Sequence, residues 1–138
     1  MRIVGLISLV NLLLGLAGLR KALRENRPAD IPRIPGLPFE PEKPLSRRHW
    51  SEGTELSAPT PMLIVQGIAT LGLLVSPRPP VLLARVLGVL GALMAIGWPV
   101  ERVWRESLVE PDTEVTPLTA GGFLLSIKLA ILGWSVGR

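Results

Sequence analysis

The chain has no cysteine, no tyrosine and a single histidine, His49. The absence of cysteine excludes disulfides, thiolate metal ligands and thiol nucleophiles. One histidine is too few for a multi-histidine metal or haem site built by this chain alone. The sequence also has no glycine-rich phosphate loop, no nucleophile elbow and no zinc-ligand spacing. We therefore expect neither a metal ion nor an organic cofactor.

Charge is missing from four long stretches. Residues 3–19, 56–76, 86–100 and 116–127 contain no Asp, Glu, Lys or Arg. Hydrophobic residues make up 48% of the chain, and its mean hydropathy is +0.43. Soluble domains of this size are usually less apolar and spread their charges along the sequence. The pattern predicts an all-α integral membrane protein.

The lengths of these stretches predict the architecture, because a hydrocarbon core of ~30 Å is crossed by roughly 20 helical residues. We expect one membrane domain over 1–138, a four-transmembrane-helix bundle with a long proline-rich loop between helices 1 and 2. The predicted segments are the helices 3–19, 56–76, 81–100 and 116–137 and the loop 27–55.

Two of the predicted helices extend beyond their apolar stretches. The first continues to Asn26, and the third runs on through 101–108, where oppositely charged residues are four positions apart. A cleaved signal peptide over 2–19 is the alternative for the first helix. Arg20 and Lys21 follow it at once and no small-x-small site precedes a natural mature start, so we expect it to be retained.

The distribution of charge predicts the orientation. The loops after the first and third helices carry ten Lys and Arg and all eleven Asp and Glu. The opposite side carries four basic residues, Arg2, Arg78, Arg85 and Arg138. The positive-inside rule places the loops in the cytoplasm and both termini outside, in a plasma or inner membrane. Since the basic residues flank apolar helices, we expect membrane lipids and not nucleic acid as partners.

Prolines recur at every third position in the long loop, at Pro32, Pro35, Pro38, Pro41 and Pro44. A polyproline II helix has three residues per turn, so they would line one edge of an extended segment. One interpretation is a stiff, solvated linker. The other is a strand that docks on a partner or caps the helix ends, which the apolar Ile34, Leu37 and Phe39 favour.

Two polar residues lie at the centres of predicted helices, Asn11 in the first and Gln66 in the second. They either form a polar binding layer or make hydrogen bonds between helices. Asn11 shares a face with Ser8, Gly15 and Gly18, which is typical of a packed interface. We therefore interpret Asn11 as structural and leave both interpretations open for Gln66.

Lys128 is the only charge inside the fourth predicted helix. A charged residue at membrane depth is costly and is usually functional. It lies roughly 200° around the helix from Ser126 and Ala130, which belong to a face of small residues. If that face packs inside the bundle, Lys128 points outward to a partner membrane protein or a second copy. The alternatives are a lysine that lines a cavity or one that extends to the membrane surface.

Charged and aromatic residues flank the cytoplasmic ends of helices 2 and 3. His49, Trp50, Glu52 and Glu55 precede helix 2, whereas Trp98 and Glu101 close helix 3. The two helices are joined by a tight turn, so these ends are close together. Glu52, Glu55 and Glu101 are therefore candidate acid–base residues, with His49, Trp50 and Trp98 as candidate binding residues. Ordinary interfacial residues would give the same pattern.

Two functions fit these features. The first is an accessory or interaction subunit of a larger membrane assembly, docked through Lys128 and the proline-rich loop. The alternative is a membrane-embedded enzyme of the isomerase, cyclase or hydrolase type, acting on an apolar isoprenoid or lipid. A pocket that contains both Glu101 and Gln66 would favour the enzyme, and a flat apolar face around Lys128 would favour the subunit.

Overall fold

The computed structural model describes residues 1–29 and 42–136, and the regular secondary structure of these residues is helical. The helices are α1 (Arg2–Glu25), α2 (Leu45–Arg48), α3 (Thr60–Val75), α4 (Val81–Val100), α5 (Arg102–Val109) and α6 (Val115–Ser135). The predicted proline-rich segment lies mostly outside the described residues. Its last member, Pro44, immediately precedes the short helix α2.

Three helices, α1, α4 and α6, are long and apolar enough to cross a membrane. The chain is therefore consistent with an integral membrane protein. The fourth apolar helix, α3, has 16 residues. At 1.5 Å per residue it is about 24 Å long, shorter than a hydrocarbon core of ~30 Å. The fourth membrane span thus stays a prediction.

Helix α3 begins later than predicted, at Thr60 rather than at position 56. The preceding residues form a tight turn instead, in which the backbone N–H groups of Thr54 and Ser57 donate to each other's carbonyl oxygens. This turn buries the Leu56 side chain against Ala22, Val103 and Val115. Pro59 then precedes the first helical residue, a position where its missing N–H has little consequence.

The third predicted helix is interrupted after Val100. Glu101 has extended backbone angles, φ −69° and ψ 134°, and α5 is a separate helix. Pro99, in the last turn of α4, lacks the N–H that would continue the hydrogen-bond ladder. The first helix, in contrast, runs past its apolar stretch as predicted and ends at Asn26 in the left-handed conformation.

The four long helices form a ring in which α1 and α4 each pack against both α3 and α6. Glycines bring α4 and α6 together. A Cβ atom on Gly91 would lie 2.7 Å from the main-chain nitrogen of Ala130, and one on Gly133 would lie 2.5 Å from the main-chain oxygen of Ala84. The face of small residues on α6 is therefore inside the bundle.

Apolar side chains pack in two clusters at opposite ends of the bundle. We call these the turn end, where residues 76–80 join α3 to α4, and the loop end, where the chain leaves α1 and α4. The turn-end cluster contains Val4, Ala69, Leu73, Ala84, Leu87, Leu90 and Leu129. The loop-end cluster contains Ala22, Leu56, Val103 and Val115. The middle of the bundle, between the two clusters, is where the cavity described below lies.

Candidate functional site

A cavity of about 230 Å³ lies between the two apolar clusters. All four long helices contribute to its wall, together with the loop before α3. Most of the wall is apolar, with Leu14, Met62, Leu63, Leu93, Met94 and Leu118 among the lining residues. Polar groups occur where the loop meets the helices and at two buried helical positions, Asn11 and Gln66. An apolar cavity with a few convergent polar groups is the usual form of a small-molecule site.

Six of the nine predicted site residues line this one cavity. They are Asn11, Glu52, Glu55, Gln66, Trp98 and Glu101. The structure therefore brings together residues from the first, second and third predicted helices and from the loop. The lining does not include the other three, His49, Trp50 and Lys128.

His49 positions the start of α3. Its Nδ1 lies 2.7 Å from the hydroxyl oxygen of Thr60, and its main-chain oxygen accepts from the Thr60 N–H at 3.1 Å. Trp50 is exposed, with its ring centroid 5.6 Å from that of His49. These contacts give His49 a local structural role beside the cavity.

Lys128 is exposed on the outer surface of α6. Within residues 1–29 and 42–136, it makes no hydrogen bond or ion pair. Its neighbours on that surface are apolar and exposed, Leu124 one turn before it and Ile131 one turn after it. The packing of Ser126 and Gly133 into the bundle accounts for this outward direction.

Glu55 is buried at 8% exposure and lies between two guanidinium groups. Its Oε1 is 3.6 Å from Arg102 Nη2, and its Oε2 is 4.0 Å from Arg27 Nη1. Arg27 follows α1 and Arg102 begins α5, so Glu55 links three parts of the chain at the loop end. The two positive charges offset the cost of burying the carboxylate.

Glu52 and Glu101 bring two further carboxylates to the cavity. Arg48 donates from Nε and Nη2 to Oε2 of Glu52, at 3.0 and 2.7 Å. Glu101 is 8% exposed and lies in the break between α4 and α5. The break at Glu101 was missed from the sequence because the charge spacing of 101–108 also fits a continuous helix.

Gln66 is the deepest polar residue of the cavity, at 1% exposure. Its Nε2 donates to the main-chain oxygen of Ser8 at 3.2 Å and to the Ser8 hydroxyl at 3.3 Å. Because a carbonyl oxygen only accepts, this contact fixes which end of the amide faces Ser8. The other end, Oε1, is buried and has no hydrogen-bond donor among the described residues.

Asn11 also lines the cavity, one turn from Ser8. Its Nδ2 donates to the sulfur of Met94 at 3.7 Å, and a thioether is a weak acceptor. The structure thus gives Asn11 both a contact between helices and a place on the cavity wall. Its predicted structural role stays a prediction.

Trp98 closes one side of the cavity by packing over Gly122 of α6. A Cβ atom on Gly122 would lie 2.7 Å from Cζ2 of the indole ring, so this position accommodates the ring because it has no side chain. Gly97, the neighbour of Trp98, also lines the cavity, and a Cβ there would meet nothing within 4 Å. The sequence places Gly122 on the face of small residues of the fourth helix and does not indicate that either glycine lines a cavity.

The arrangement can bind a largely apolar molecule and place carboxyl groups beside it. Glu55 and Glu101 can exchange protons with such a molecule, while the free acceptor of Gln66 can receive a hydrogen bond from it. Across residues 1–29 and 42–136, no group of three or more His, Asp or Glu side chains is placed to hold a metal ion. No protein family, curated protein or solved structure matches this chain.

Proposed function

We propose that this chain is a membrane-embedded enzyme that transfers protons to and from an apolar isoprenoid or lipid held in the central cavity. One observation carries the proposal: Glu101 and Gln66 line the same largely apolar cavity. Carboxyl groups are effective general acids and bases, and burial beside a bound substrate is the setting in which they act.

Two carboxyl groups at one cavity suit an isomerisation or a cyclisation. Such a reaction adds a proton at one atom of the substrate and removes a proton from another, so no further reactant is consumed. In this scheme Glu101 and Glu55 are the two proton-transfer groups, and Arg27 and Arg102 hold the Glu55 carboxylate in place. Trp98 and the apolar wall position the substrate.

Solvent deuterium tests this proposal before the substrate is known. The chain is reconstituted in vesicles of an isoprenoid-containing membrane lipid extract in heavy water, and the lipids are analysed by mass spectrometry. Proton transfer at carbon is expected to introduce deuterium into one lipid class, above the level in vesicles without protein. If no lipid gains deuterium, proton-transfer catalysis on the lipids of that extract is ruled out.

The second candidate function is an accessory subunit of a larger membrane assembly, which would use a surface of the chain outside the cavity. Exposed Lys128, between Leu124 and Ile131, supports it. A carboxylate or carbonyl oxygen of a partner protein or second copy would accept a hydrogen bond from the ammonium group at membrane depth.

Lys128→Met is expected to abolish co-purification of that partner and leave the stability of the isolated chain unchanged or higher. Undiminished partner binding would exclude this role for Lys128.

A further inference from the structure

The cavity reaches the outer surface of α4, where two of its lining residues are exposed. Leu83, Leu90 and Gly97 are seven residues apart and so lie on one side of α4. Leu83 contacts α3 at Gly72, and Leu90 belongs to the turn-end core. At Gly97, in contrast, a Cβ atom would meet nothing within 4 Å. The space on this side of α4 is therefore filled near the turn 76–80 and open at Gly97, which leaves a gap there.

The lining residues at this gap belong to the lipid-facing surface of α4. Gly97 and Leu93 both line the cavity and both are exposed, Leu93 at 53%. They lie in an apolar helix that is long enough to cross a membrane. The other exposed lining residue, Ser51, lies in the polar loop before α3. A ligand thus has two possible routes, one from the bilayer and one from water.

The charges around the cavity disfavour a charged ligand. Each of two lining carboxylates has guanidinium partners: Arg48 for Glu52, and Arg27 and Arg102 for Glu55. Deeper in the cavity, the buried Oε1 of Gln66 has no donor among the described residues. A buried acceptor without a donor is destabilising, and a ligand that donates a hydrogen bond to it removes this penalty.

We infer that the ligand is an uncharged alcohol dissolved in the bilayer, which enters between α3 and α4 at Gly97 and donates its hydroxyl hydrogen to Gln66 Oε1. This inference rests on the proposed function, because it names the substrate class of the same cavity. The apolar remainder of the molecule would extend along the wall toward the carboxyl groups at the loop end.

A photoreactive long-chain alcohol with a diazirine in its tail tests the route. The probe is supplied in vesicles that contain the full chain, and adducts on cavity residues are located by peptide mass spectrometry. Gly97→Trp is expected to lower the adduct yield by about tenfold, the equivalent of about 1.4 kcal/mol in binding. Ile96→Trp places the same side chain at the neighbouring exposed position outside the cavity lining and should leave the yield unchanged. Gly97→Leu serves as the second blocking variant if Gly97→Trp does not fold.

The methyl ether of the same probe tests the hydrogen bond, because it has the same tail and no donor. It is expected to label the cavity about tenfold less than the alcohol does. Equal labelling by the ether would overturn the role of Gln66. A loss of labelling in Ser51→Trp but not in the Gly97 variants would show entry from water and overturn the route.

The remaining outcomes separate this inference from the proposed function. If the alcohol does not label the cavity while lipid deuteration persists, the ligand class is wrong and the enzyme proposal survives. If neither labelling nor deuteration occurs, the proposed function fails and the inference fails with it.

Discussion

The amide nitrogen of Gln66 on α3 lies 3.2 Å from the main-chain oxygen of Ser8 on α1. The Ser8 hydroxyl is 2.7 Å from that of Thr70, which in turn donates to the main-chain oxygen of Gln66 at 2.6 Å. These three residues join two helices by hydrogen bonds at the bottom of the cavity. They also hold the Gln66 amide with Nε2 on Ser8, so that Oε1 is buried without a donor among the described residues.

Replacing Thr70 by valine should weaken this junction without changing its shape. Thr70→Val removes the hydroxyl that Ser8 contacts, and a hydrogen bond between membrane helices contributes about 0.6–2 kcal/mol. We expect a lower unfolding temperature in detergent. Ser135→Ala removes a hydroxyl whose contact is within an exposed turn of α6, and it is expected to leave the unfolding temperature unchanged. If both substitutions change the unfolding temperature equally, the buried hydrogen bonds contribute no more stability than the exposed one does.

Two glycines of the cavity wall should respond oppositely to the same substitution. Gly122→Ala places a methyl group 2.7 Å from the Trp98 ring, and overpacking of this kind costs about 1–3 kcal/mol. Gly97→Ala places its methyl group in open space, and alanine stabilises a helix by about 1 kcal/mol relative to glycine. Thermal unfolding checks the stabilities, and tryptophan fluorescence should shift in Gly122→Ala alone. A destabilised Gly97→Ala would contradict the gap between α3 and α4.

Asp112 should make the start of α6 sensitive to acid. Its carboxylate accepts hydrogen bonds from the N–H groups of Val115 and Glu114, both at 2.8 Å, and these lower the pKa of Asp112 below its ordinary value. The stabilisation is therefore complete above the ordinary pKa and is lost as the pH falls through the lowered one. Unfolding measured across the acid range should show a smaller loss of stability in Asp112→Ala than in the wild type. Identical acid profiles would exclude this contribution.

The orientation predicted from the charge distribution can be measured directly, because the chain has no native cysteine. Arg47 and Arg78 are exposed at the loop end and the turn end. Single cysteines at these two positions are expected to react with an impermeant reagent from opposite sides of a sealed membrane, position 47 from the cytoplasmic side. If the cysteines at both positions react from the same side, the four-span topology is excluded.

The sequence is sufficient to predict helices whose ends are marked by strong local signals. The start of α4 after Pro80 and the end of α1 at Asn26 are such cases. The apolar Leu56 misled the prediction of α3, because the residue is buried by a loop turn and not by a helix. Hydrophobicity alone does not distinguish these two modes of burial.

The lining of the cavity was also partly predictable. Glu55, Glu101 and Gln66 were recognisable because polar residues next to or inside apolar helices are energetically costly and are therefore usually functional. Their convergence on one cavity depends on how the four long helices pack together, which is a property of tertiary structure. Gly97 illustrates the limit, since a glycine that opens a cavity looks the same in sequence as Gly91, which allows two helices to touch.

The rate of lipid deuteration in Glu101→Gln tests the central claim most directly. Loss of a general acid or base typically lowers a rate by about 10²-fold or more, and we expect a decrease of this size. Glu110→Gln is the matched control, because Glu110 is an exposed carboxylate of the loop end outside the cavity lining, and it should retain the wild-type rate. A wild-type rate in Glu101→Gln would contradict the account, and so would an equal loss of rate in both variants.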